Sequence, residues 1–322
     1  MIRHAVNHNF SWLDSCGFAD SSVTTSGSRR VSTTNQPLYS NDVWRTLHFF
    51  SPPLHGERPT FVVTEPTGVG SKNYECSTHL VLIRDIRSHS LQKHFDLSIH
   101  AFQLLTNVPA PTDVDLSCIT SIRTHYYADA TNLLLKHVPG ASKVVIFDHT
   151  IRRASAHLKL NRPVRKVHID QTPYASLLRA KRHLEPEDVE AVMAGRLRLR
   201  IINVWRPLRG PLNDHPLCVA ESCSIADEDL IEVDHVYHDR VGQTYAAKFN
   251  PDQRFWYFSR MEPTDVWLIQ CVDSVKTDFG ECGKRHVRCA HASFQINEDG
   301  EAEMKERESI EIRCLVLGGE LS

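Results

Sequence analysis

Short hydrophobic segments separated by polar turn signals run along most of the chain, and their pattern changes near residue 196. Beyond that point the segments are rich in β-branched and aromatic residues and show no helical spacing, which is typical of strands. The predicted strands of this half are residues 197–205, 218–223, 245–249, 255–258, 266–272, 287–295 and 310–317. Many short strands without alternating helices favour an antiparallel sandwich or barrel over a doubly wound parallel sheet.

The first half of the chain mixes strand and helix patterns. Short apolar or β-branched runs bounded by Pro, Gly or Ser predict strands over residues 59–64, 79–84 and 143–147. Apolar residues at helical spacing predict helices over residues 97–105, 122–135, 173–184 and 186–196, with the last two separated at Glu185-Pro186. The predicted fold class is therefore mainly β with helical additions.

The two ends of the chain differ in composition. Residues 1–42 are rich in Ser, Thr, Asn and His, which predicts an N-terminal extension that is flexible or lies on the surface. From residue 43 to residue 322 no repeat and no low-complexity linker interrupts the pattern. We therefore predict one domain over residues 43–322.

Charge and cysteine content narrow the class of protein. Lys and Arg total 37 against 39 for Asp and Glu, and no basic stripe is present, which argues against nucleic acid as the main partner. The nine cysteines have no regular spacing, which fits a reducing compartment better than a disulfide framework. No apolar run is long enough to span a bilayer and no signal-peptide core is visible, so we expect a cytoplasmic protein without a membrane partner.

The candidate chemistry starts from a His-x-acid motif that is common in this chain. With 19 histidines and 39 acidic residues, about two such matches are expected by chance. The four that occur are His55-x-Glu57, His94-x-Asp96, His168-x-Asp170 and His183-x-Glu185. The motif alone is therefore weak evidence for a metal site, and the residues around each copy are needed to choose among the four.

The surroundings favour His168 and Asp170. Val167 and Ile169 flank and separate the polar pair, and side chains two apart on a strand share a face. His168 and Asp170 would then point together, which suits two ligands of one metal ion. The alternative is a hydrogen-bonded pair at a strand end.

A second histidine, His291, lies in another predicted strand and could complete a two-histidine, one-carboxylate set of the kind that holds Fe(II) and leaves positions open. The alternatives are a satisfied core histidine or a zinc site, because Cys282, His286 and Cys289 are close to His291 in sequence. That Cys/His spacing is unusual for structural zinc, and it leaves His168 and Asp170 unexplained.

A strand-like alternation near the end of the chain places Arg307, Ser309, Glu311 and Arg313 on one face. A planar guanidinium assisted by a hydroxyl can hold a carboxylate, although a solvent-facing strand of mixed charge has the same pattern. The polar loop at residues 297–300 predicts a hairpin that would make the strand of His291 the neighbour of this strand.

Five segments together carry a resemblance to a known family. In chain order they read Val-His-Ile-Asp-Gln at 167–171, Asn-Val-Trp-Arg-Pro at 203–207, Trp-Tyr-Phe at 256–258, His-Ala-Ser-Phe at 291–294 and Arg-Glu-Ser-Ile-Glu at 307–311. Their order and spacing resemble the fungal and bacterial AsaB-like family of hydroxylases and desaturases, also described as gibberellin-desaturase-like and CmcJ-related. The resemblance covers roughly residues 74–317.

The resemblance implies a double-stranded β-helix, or jelly roll, with Fe(II) and O2 as cofactors and 2-oxoglutarate as cosubstrate. Carried over by position, it makes His168, Asp170 and His291 the metal ligands, and Arg307 with Ser309 the site for the cosubstrate carboxylate. It further implies an oxygenase of secondary metabolism.

The family pattern differs from this chain in two places. A proline often precedes the second metal histidine in the family, whereas this chain has Ala290. The stretch between Asp170 and His291 is also long for an enzyme of this class.

The expected reaction is hydroxylation, desaturation or oxidative ring closure, such as aziridine formation, on a small molecule that we predict to be amino-acid-like. Asn203 and Arg206 either bind substrate or cosubstrate or fix the turn at Pro207. The rival functions are a jelly-roll binding protein without turnover and a zinc protein using the cluster from Cys282 to His291. The sequence leaves the oligomeric state open.

Overall fold

A ten-stranded sheet and a five-stranded sheet dominate the computed structural model, which describes residues 41–53, 55–64, 69–153, 163–278, 284–296 and 307–321. Neighbouring strands are antiparallel except for two parallel pairings in the larger sheet. The mainly β prediction with helical additions is therefore confirmed. The predicted extension at residues 1–42 lies outside the described residues except for its last two positions, and the single domain over 43–322 stays a prediction.

The strands are numbered in chain order. The larger sheet contains β1 (Val43–Ser51), β2 (Thr60–Thr64), β3 (Val69–Lys72), β4 (Glu75–Asp85), β7 (His168–Ile169), β9 (Leu217–Ala220), β10 (Leu230–Val236), β11 (Val241–Ala247), β12 (Phe255–Tyr257) and β16 (His291–Ser293). The smaller sheet contains β5 (Phe102–Leu105), β6 (Ala141–Arg153), β8 (Leu199–Pro207), β13 (Val266–Asp273) and β17 (Glu308–Gly318). A separate two-stranded ribbon consists of β14 (Lys276–Asp278) and β15 (Lys284–His286).

The α-helices of the described residues are few and all lie before residue 194. They are α1 (Leu97–His100), α2 (Ile119–Ile122), which continues through one π turn (Arg123–Tyr127) into α3 (Ala128–His137), α4 (Pro173–His183) and α5 (Pro186–Met193). Thr172 starts α4, because its hydroxyl accepts the backbone N–H of Ala175 and proline occupies the first helical turn. The predicted break at Glu185-Pro186 is confirmed.

The main core lies between the two sheets and contains residues such as Leu47 and Ile83 from the larger sheet and Ile201 and Leu315 from the smaller one. The opposite face of the smaller sheet is covered by α2 and α3, which pack on a second apolar cluster. Since both faces are covered, every residue of β8 and β17 is buried. Alternate positions on these strands therefore face either the space between the sheets or the helices.

All seven strands predicted beyond residue 196 overlap an observed strand, although their bounds shift. The largest shift is in the predicted strand 287–295, of which only the three residues of β16 are extended and paired. The predicted helix over 97–105 was wrong in its second half. The helix ends at His100, because Ala101 has a φ of 68° that cannot continue a right-handed helix, and the residues that follow pair with β13 as β5.

The predicted hairpin between β16 and β17 was also wrong. Its loop, residues 297–300, lies outside the described residues, but β16 pairs with β7 and β9 whereas β17 pairs with β6 and β8 in the other sheet. The eleven-residue β17 finds long partners in β6 and β8, which β16 with three residues does not offer. The two strands instead face each other across the core.

Candidate metal and cosubstrate site

Strand pairing brings the two candidate histidines together. His168 on β7 lies directly opposite His291 on β16 in antiparallel register, and their ring centroids are 4.5 Å apart. Asp170 follows β7 two positions after His168. The three side chains are at most 3% exposed, and one ligand atom from each lies within 4.8 Å of the others.

The local sequence explains why these side chains converge. Val167 and Ile169 are fully buried in the main core, which turns the intervening His168 and the following Asp170 to the opposite side. The alternation predicted from the sequence is therefore present in the structure.

Hydrogen bonds fix which nitrogen of each histidine faces the carboxylate. His168 Nδ1 is 2.7 Å from the carbonyl oxygen of Lys166, and His291 Nδ1 is 3.2 Å from that of Cys289. Each Nδ1 therefore donates its proton to the carbonyl two residues earlier, and each Nε2 keeps a lone pair. The two Nε2 atoms lie 3.4 Å and 3.8 Å from Asp170 Oδ1.

These atoms fit a divalent metal ion of the Fe(II) type. His168 Nε2 and Asp170 Oδ1 are buried and accept or donate no hydrogen bond, which is costly for polar atoms unless a ligand satisfies them. Ligands bound side by side to one ion at about 2.1 Å lie roughly 3 Å apart, close to the spacing seen here. Two imidazoles and one carboxylate are also the ligand set of non-haem Fe(II) oxygenases.

The protonation states suit metal binding. Burial, with a contribution from His168, lowers the pKa of His291 to about 4, so that its imidazole is neutral at neutral pH. Burial alone would raise the pKa of Asp170, but the Arg313 guanidinium and the two histidines hold it well below its ordinary value. Neutral imidazole and ionised carboxylate are the forms that bind metal ions.

The second oxygen of Asp170 is already engaged. Oδ2 accepts hydrogen bonds from Asn203 Nδ2 and from Arg313 Nε, both at 2.8 Å. Asn203 Nδ2 also donates to Glu311 Oε1 at 3.0 Å, and Arg313 Nη2 donates to Glu311 Oε2 at 2.6 Å. Only Oδ1 of Asp170 is thus directed towards the two histidines.

Arg307 lies next to this group at the start of β17. Its Nη1 donates to Ser293 Oγ at 3.0 Å and to the His215 carbonyl at 2.9 Å, and its Nε donates to Ser309 Oγ at 3.1 Å. Since Ser293 follows His291 by two strand positions, the Arg307 contact lies roughly 7 Å along β16 from that histidine.

The environment of Arg307 suits an anionic ligand. The guanidinium is 2% exposed and stacks on Trp205 with 5.1 Å to the ring centroid. Burial, followed by repulsion from Arg152, lowers its pKa to about 9, so it remains a cation at neutral pH. Among the described residues its guanidinium donates to hydroxyl and carbonyl oxygens rather than to a carboxylate, which leaves its charge available for a ligand carboxylate.

The structure separates the two residues proposed for substrate binding. Asn203 faces the triad, but its amide holds Asp170 and Glu311. Arg206 lies on the opposite face of β8, where Nη2 is 3.1 Å from Asp129 on α3. Arg206 is therefore not brought to the site, because the helices cover the face of β8 to which it points.

The rival zinc cluster is not assembled among the described residues, where His168, Asp170 and His291 form the one group able to hold a metal ion. Cys282 lies outside the described residues. His286 Nδ1 bonds the Asp273 carbonyl, and burial raises the pKa of the Cys289 thiol, which disfavours the thiolate that zinc requires.

Sequence reasoning overlooked the supporting residues. Arg313 and Glu311 were placed on the face of Arg307 without a role, and the contacts of Ser293 and His215 with Arg307 were not anticipated. The period-two pattern of β17 was the available signal for Arg313 and Glu311. None was available for His215, since its backbone carbonyl makes the contact.

Comparison with known proteins identifies the family to which the chain belongs. Residues 47–317 match a family model described as an oxidoreductase/YMDC permease-like domain. Among the described residues no helix has the length and apolar character of a membrane span.

Two curated relatives and one solved structure illustrate the similarity. The hydroxylase/desaturase efuI of Hormonema carpetanum is 30% identical over 275 residues, which is 77% of this chain and 87% of the relative. The Fe(II)/2-oxoglutarate-dependent dioxygenase nvfI of Aspergillus novofumigatus is 29% identical over 263 residues, covering 80% of this chain and 90% of the relative. A solved structure of the iron and alpha-ketoglutarate-dependent endoperoxidase NvfI superposes with a TM-score of 0.74 at 28% identity, covering 87% of this chain and 100% of that chain.

Proposed function

We propose, from the premise that this chain belongs to the hydroxylase/desaturase family of Fe(II)- and 2-oxoglutarate-dependent oxygenases, that His168, Asp170 and His291 bind its Fe(II). The chain is an Fe(II)/2-oxoglutarate-dependent oxygenase of secondary metabolism, and its predicted jelly-roll fold is confirmed. The observation that carries the ligand assignment is the pair of buried, unbonded ligand atoms, His168 Nε2 and Asp170 Oδ1.

Fe(II), 2-oxoglutarate and O2 together supply the oxidant that removes hydrogen from the substrate, while 2-oxoglutarate is converted to succinate and CO2. The protein's own contribution is binding and orientation. The Lys166 and Cys289 carbonyls hold both imidazoles so that each Nε2 points towards Asp170 Oδ1. Burial of the three side chains keeps bulk water away from these atoms.

We assign the far carboxylate of 2-oxoglutarate to Arg307, with Ser309 in support. The guanidinium is buried, cationic at neutral pH and oriented by the Ser309 and Ser293 hydroxyls. A carboxylate is the anion that its planar donors fit best.

The substrate is a small molecule, as for the dioxygenases to which the chain is similar. Relatives named as hydroxylase/desaturase and as endoperoxidase indicate that this scaffold supports more than one oxidative outcome. Hydroxylation, desaturation and oxidative ring closure all remain within the proposal, and the amino-acid-like substrate and cytoplasmic location remain predictions.

The ligand assignment is tested by the variant His168→Ala, with His94→Ala as a matched control. His94 belongs to another His-x-Asp motif, but it is exposed and its Asp96 caps α1 by accepting the N–H of Ser98. Protein purified without oxygen is loaded with Fe(II), and bound iron and succinate release are measured. We expect His168→Ala to lose both and His94→Ala to keep both, because a lost ligand removes the metal. Full iron binding by His168→Ala would refute the assignment.

A further inference from the structure

Asp170, the candidate carboxylate ligand, is held at its Oδ2 atom by a closed ring of hydrogen-bonded side chains. We propose that Arg313, acting with Asn203 and Glu311, is a positioning residue that fixes Asp170 so that Oδ1 alone can bind the metal. This inference rests on the proposed function, since it concerns the same metal ligand.

Four hydrogen bonds close the ring. Arg313 Nε and Asn203 Nδ2 both donate to Asp170 Oδ2, Asn203 Nδ2 donates also to Glu311 Oε1, and Arg313 Nη2 donates to Glu311 Oε2. Rotation of the Asp170 carboxylate would break both bonds to Oδ2. The orientation of the ligand is therefore set by two donors that do not themselves reach the metal.

The ring is anchored in the sheet opposite to the metal ligands. Arg313 on β17 lies directly across from Asn203 on β8 and from Asp148 on β6. Its Nη1 donates to Asp148 Oδ2 at 3.0 Å and to Thr150 Oγ1 at 2.9 Å, so that β6, together with Glu311 on β17, holds the guanidinium. Asp170 itself follows β7 of the larger sheet. The ring thus connects the two sheets through the metal ligand.

The residues of the ring are buried, and the positive charge of Arg313 is balanced by the carboxylates around it. Arg313 and Asn203 are at most 1% exposed and Glu311 is 6% exposed, so the bonds form away from solvent, where charged groups need good partners. The carboxylates of Glu311, Asp170 and Asp148 surround one guanidinium and raise its pKa well above the ordinary value, in spite of burial.

The consequence for the metal concerns the number of ligand atoms. A freely rotating carboxylate can bind a metal through both oxygens and occupy two coordination positions. With Oδ2 held by Arg313 and Asn203, Asp170 contributes one atom, and the facial set of three ligands leaves positions for cosubstrate and O2.

The test compares Arg313→Lys with Arg198→Lys. Lysine keeps the charge but lacks the planar fork that bonds Asp170 and Glu311 together. Arg198 makes a two-bond ion pair with the buried Asp273 and also bonds the Glu320 carbonyl, neither of which belongs to the triad or the ring, and so serves as the control for the loss of a fork. Co(II) is the probe, because its visible spectrum reports the number of ligand atoms around it.

For Arg313→Lys we expect Co(II) affinity to fall about 10- to 100-fold, as is typical when a residue that orients a metal ligand is changed. The Co(II) spectrum should also change, and the rise in melting temperature on adding Co(II) should shrink. Arg198→Lys should lower the melting temperature equally with and without Co(II) and leave the affinity and spectrum unchanged.

Asn203→Ala provides a second variant if Arg313→Lys does not fold, since it removes the other donor to Oδ2 and should weaken Co(II) binding in the same direction. A folded variant of either kind with the affinity and spectrum of the wild type would overturn the positioning role. His168→Ala separates this from failure of the ligand assignment. If His168→Ala loses Co(II) while the ring variants keep it, only the inference about the ring is wrong.

Discussion

Two buried arginines, Arg313 on β17 and Arg307 immediately before it, have opposite surroundings. Arg313 is hydrogen-bonded or paired with the carboxylates of Asp170, Asp148 and Glu311, and its pKa is raised well above the ordinary value. Arg307, six residues earlier, donates its guanidinium protons to hydroxyl and carbonyl oxygens among the described residues, and burial lowers its pKa to about 9.

The difference indicates a structural role for Arg313 and supports the proposed ligand-binding role of Arg307. The charge of Arg313 is neutralised within the protein, so its removal would leave buried carboxylates without a partner. The guanidinium of Arg307 donates to hydroxyl and carbonyl oxygens among the described residues, so under the proposed function we expect the carboxylate of 2-oxoglutarate to pair with its charge. Stability should therefore depend on Arg313 and cosubstrate affinity on Arg307.

The largest expected effect separates the two residues by stability. Arg313→Met should lower the free energy of unfolding by about 3–5 kcal/mol, because it leaves the carboxylates around it buried and unpaired. Arg307→Met should change it by no more than about 1 kcal/mol, because lost hydrogen bonds are offset by removal of a buried cation. Urea unfolding of both proteins without metal or 2-oxoglutarate measures this difference. Equal losses in the two variants would contradict the comparison.

The second expected effect concerns 2-oxoglutarate binding, which should depend on Arg307. Arg307→Met should weaken 2-oxoglutarate binding roughly 10- to 100-fold, since a hydrogen-bonded charge pair with the ligand carboxylate is lost. Metal binding in the absence of 2-oxoglutarate should stay at the wild-type level, because Arg307 makes no contact with Asp170. The KM for 2-oxoglutarate in succinate release and a Co(II) titration give the two values. Unchanged KM would remove Arg307 from the cosubstrate site.

The sequence predicted which side chains share a face of a strand, but not which face points towards the site. Alternation around His168 and along Arg307–Arg313 correctly placed side chains on common faces, because period two is a property of any extended strand. Which face meets the site is not encoded in that pattern when both faces are buried. The sequence therefore left Asn203 and Arg206 as joint candidates for substrate binding, although Arg206 faces α3 and the amide of Asn203 holds Asp170.

Long-range pairing was the other feature that could not be read from local pattern. His291 meets His168 because β16 pairs with β7, strands far apart in the chain, whereas the predicted neighbour of β16 was β17. Partner choice depends on the length and burial of all candidate strands together. The candidate metal ligands were thus predicted by residue type and family resemblance, and their convergence became visible only in the folded chain.

The smallest expected effect is a pH dependence confined to Arg307. Since its pKa is lowered to about 9, the guanidinium stays charged at neutral pH and loses its proton as pH rises through that value. The KM for 2-oxoglutarate should therefore be nearly constant from about pH 6 to 8 and increase above about pH 9. The effect of the same titration on folding stability has the opposite sign. The unfolded chain keeps this proton to higher pH than the folded protein does, so the free energy of unfolding rises with pH above about pH 9. A pH series of KM for wild type and Arg307→Met, the latter expected to lack the rise, measures the effect. A wild-type KM that does not increase above that pH would contradict the lowered pKa of Arg307. It would mean that neighbouring groups keep this guanidinium protonated, as the carboxylates around Arg313 do.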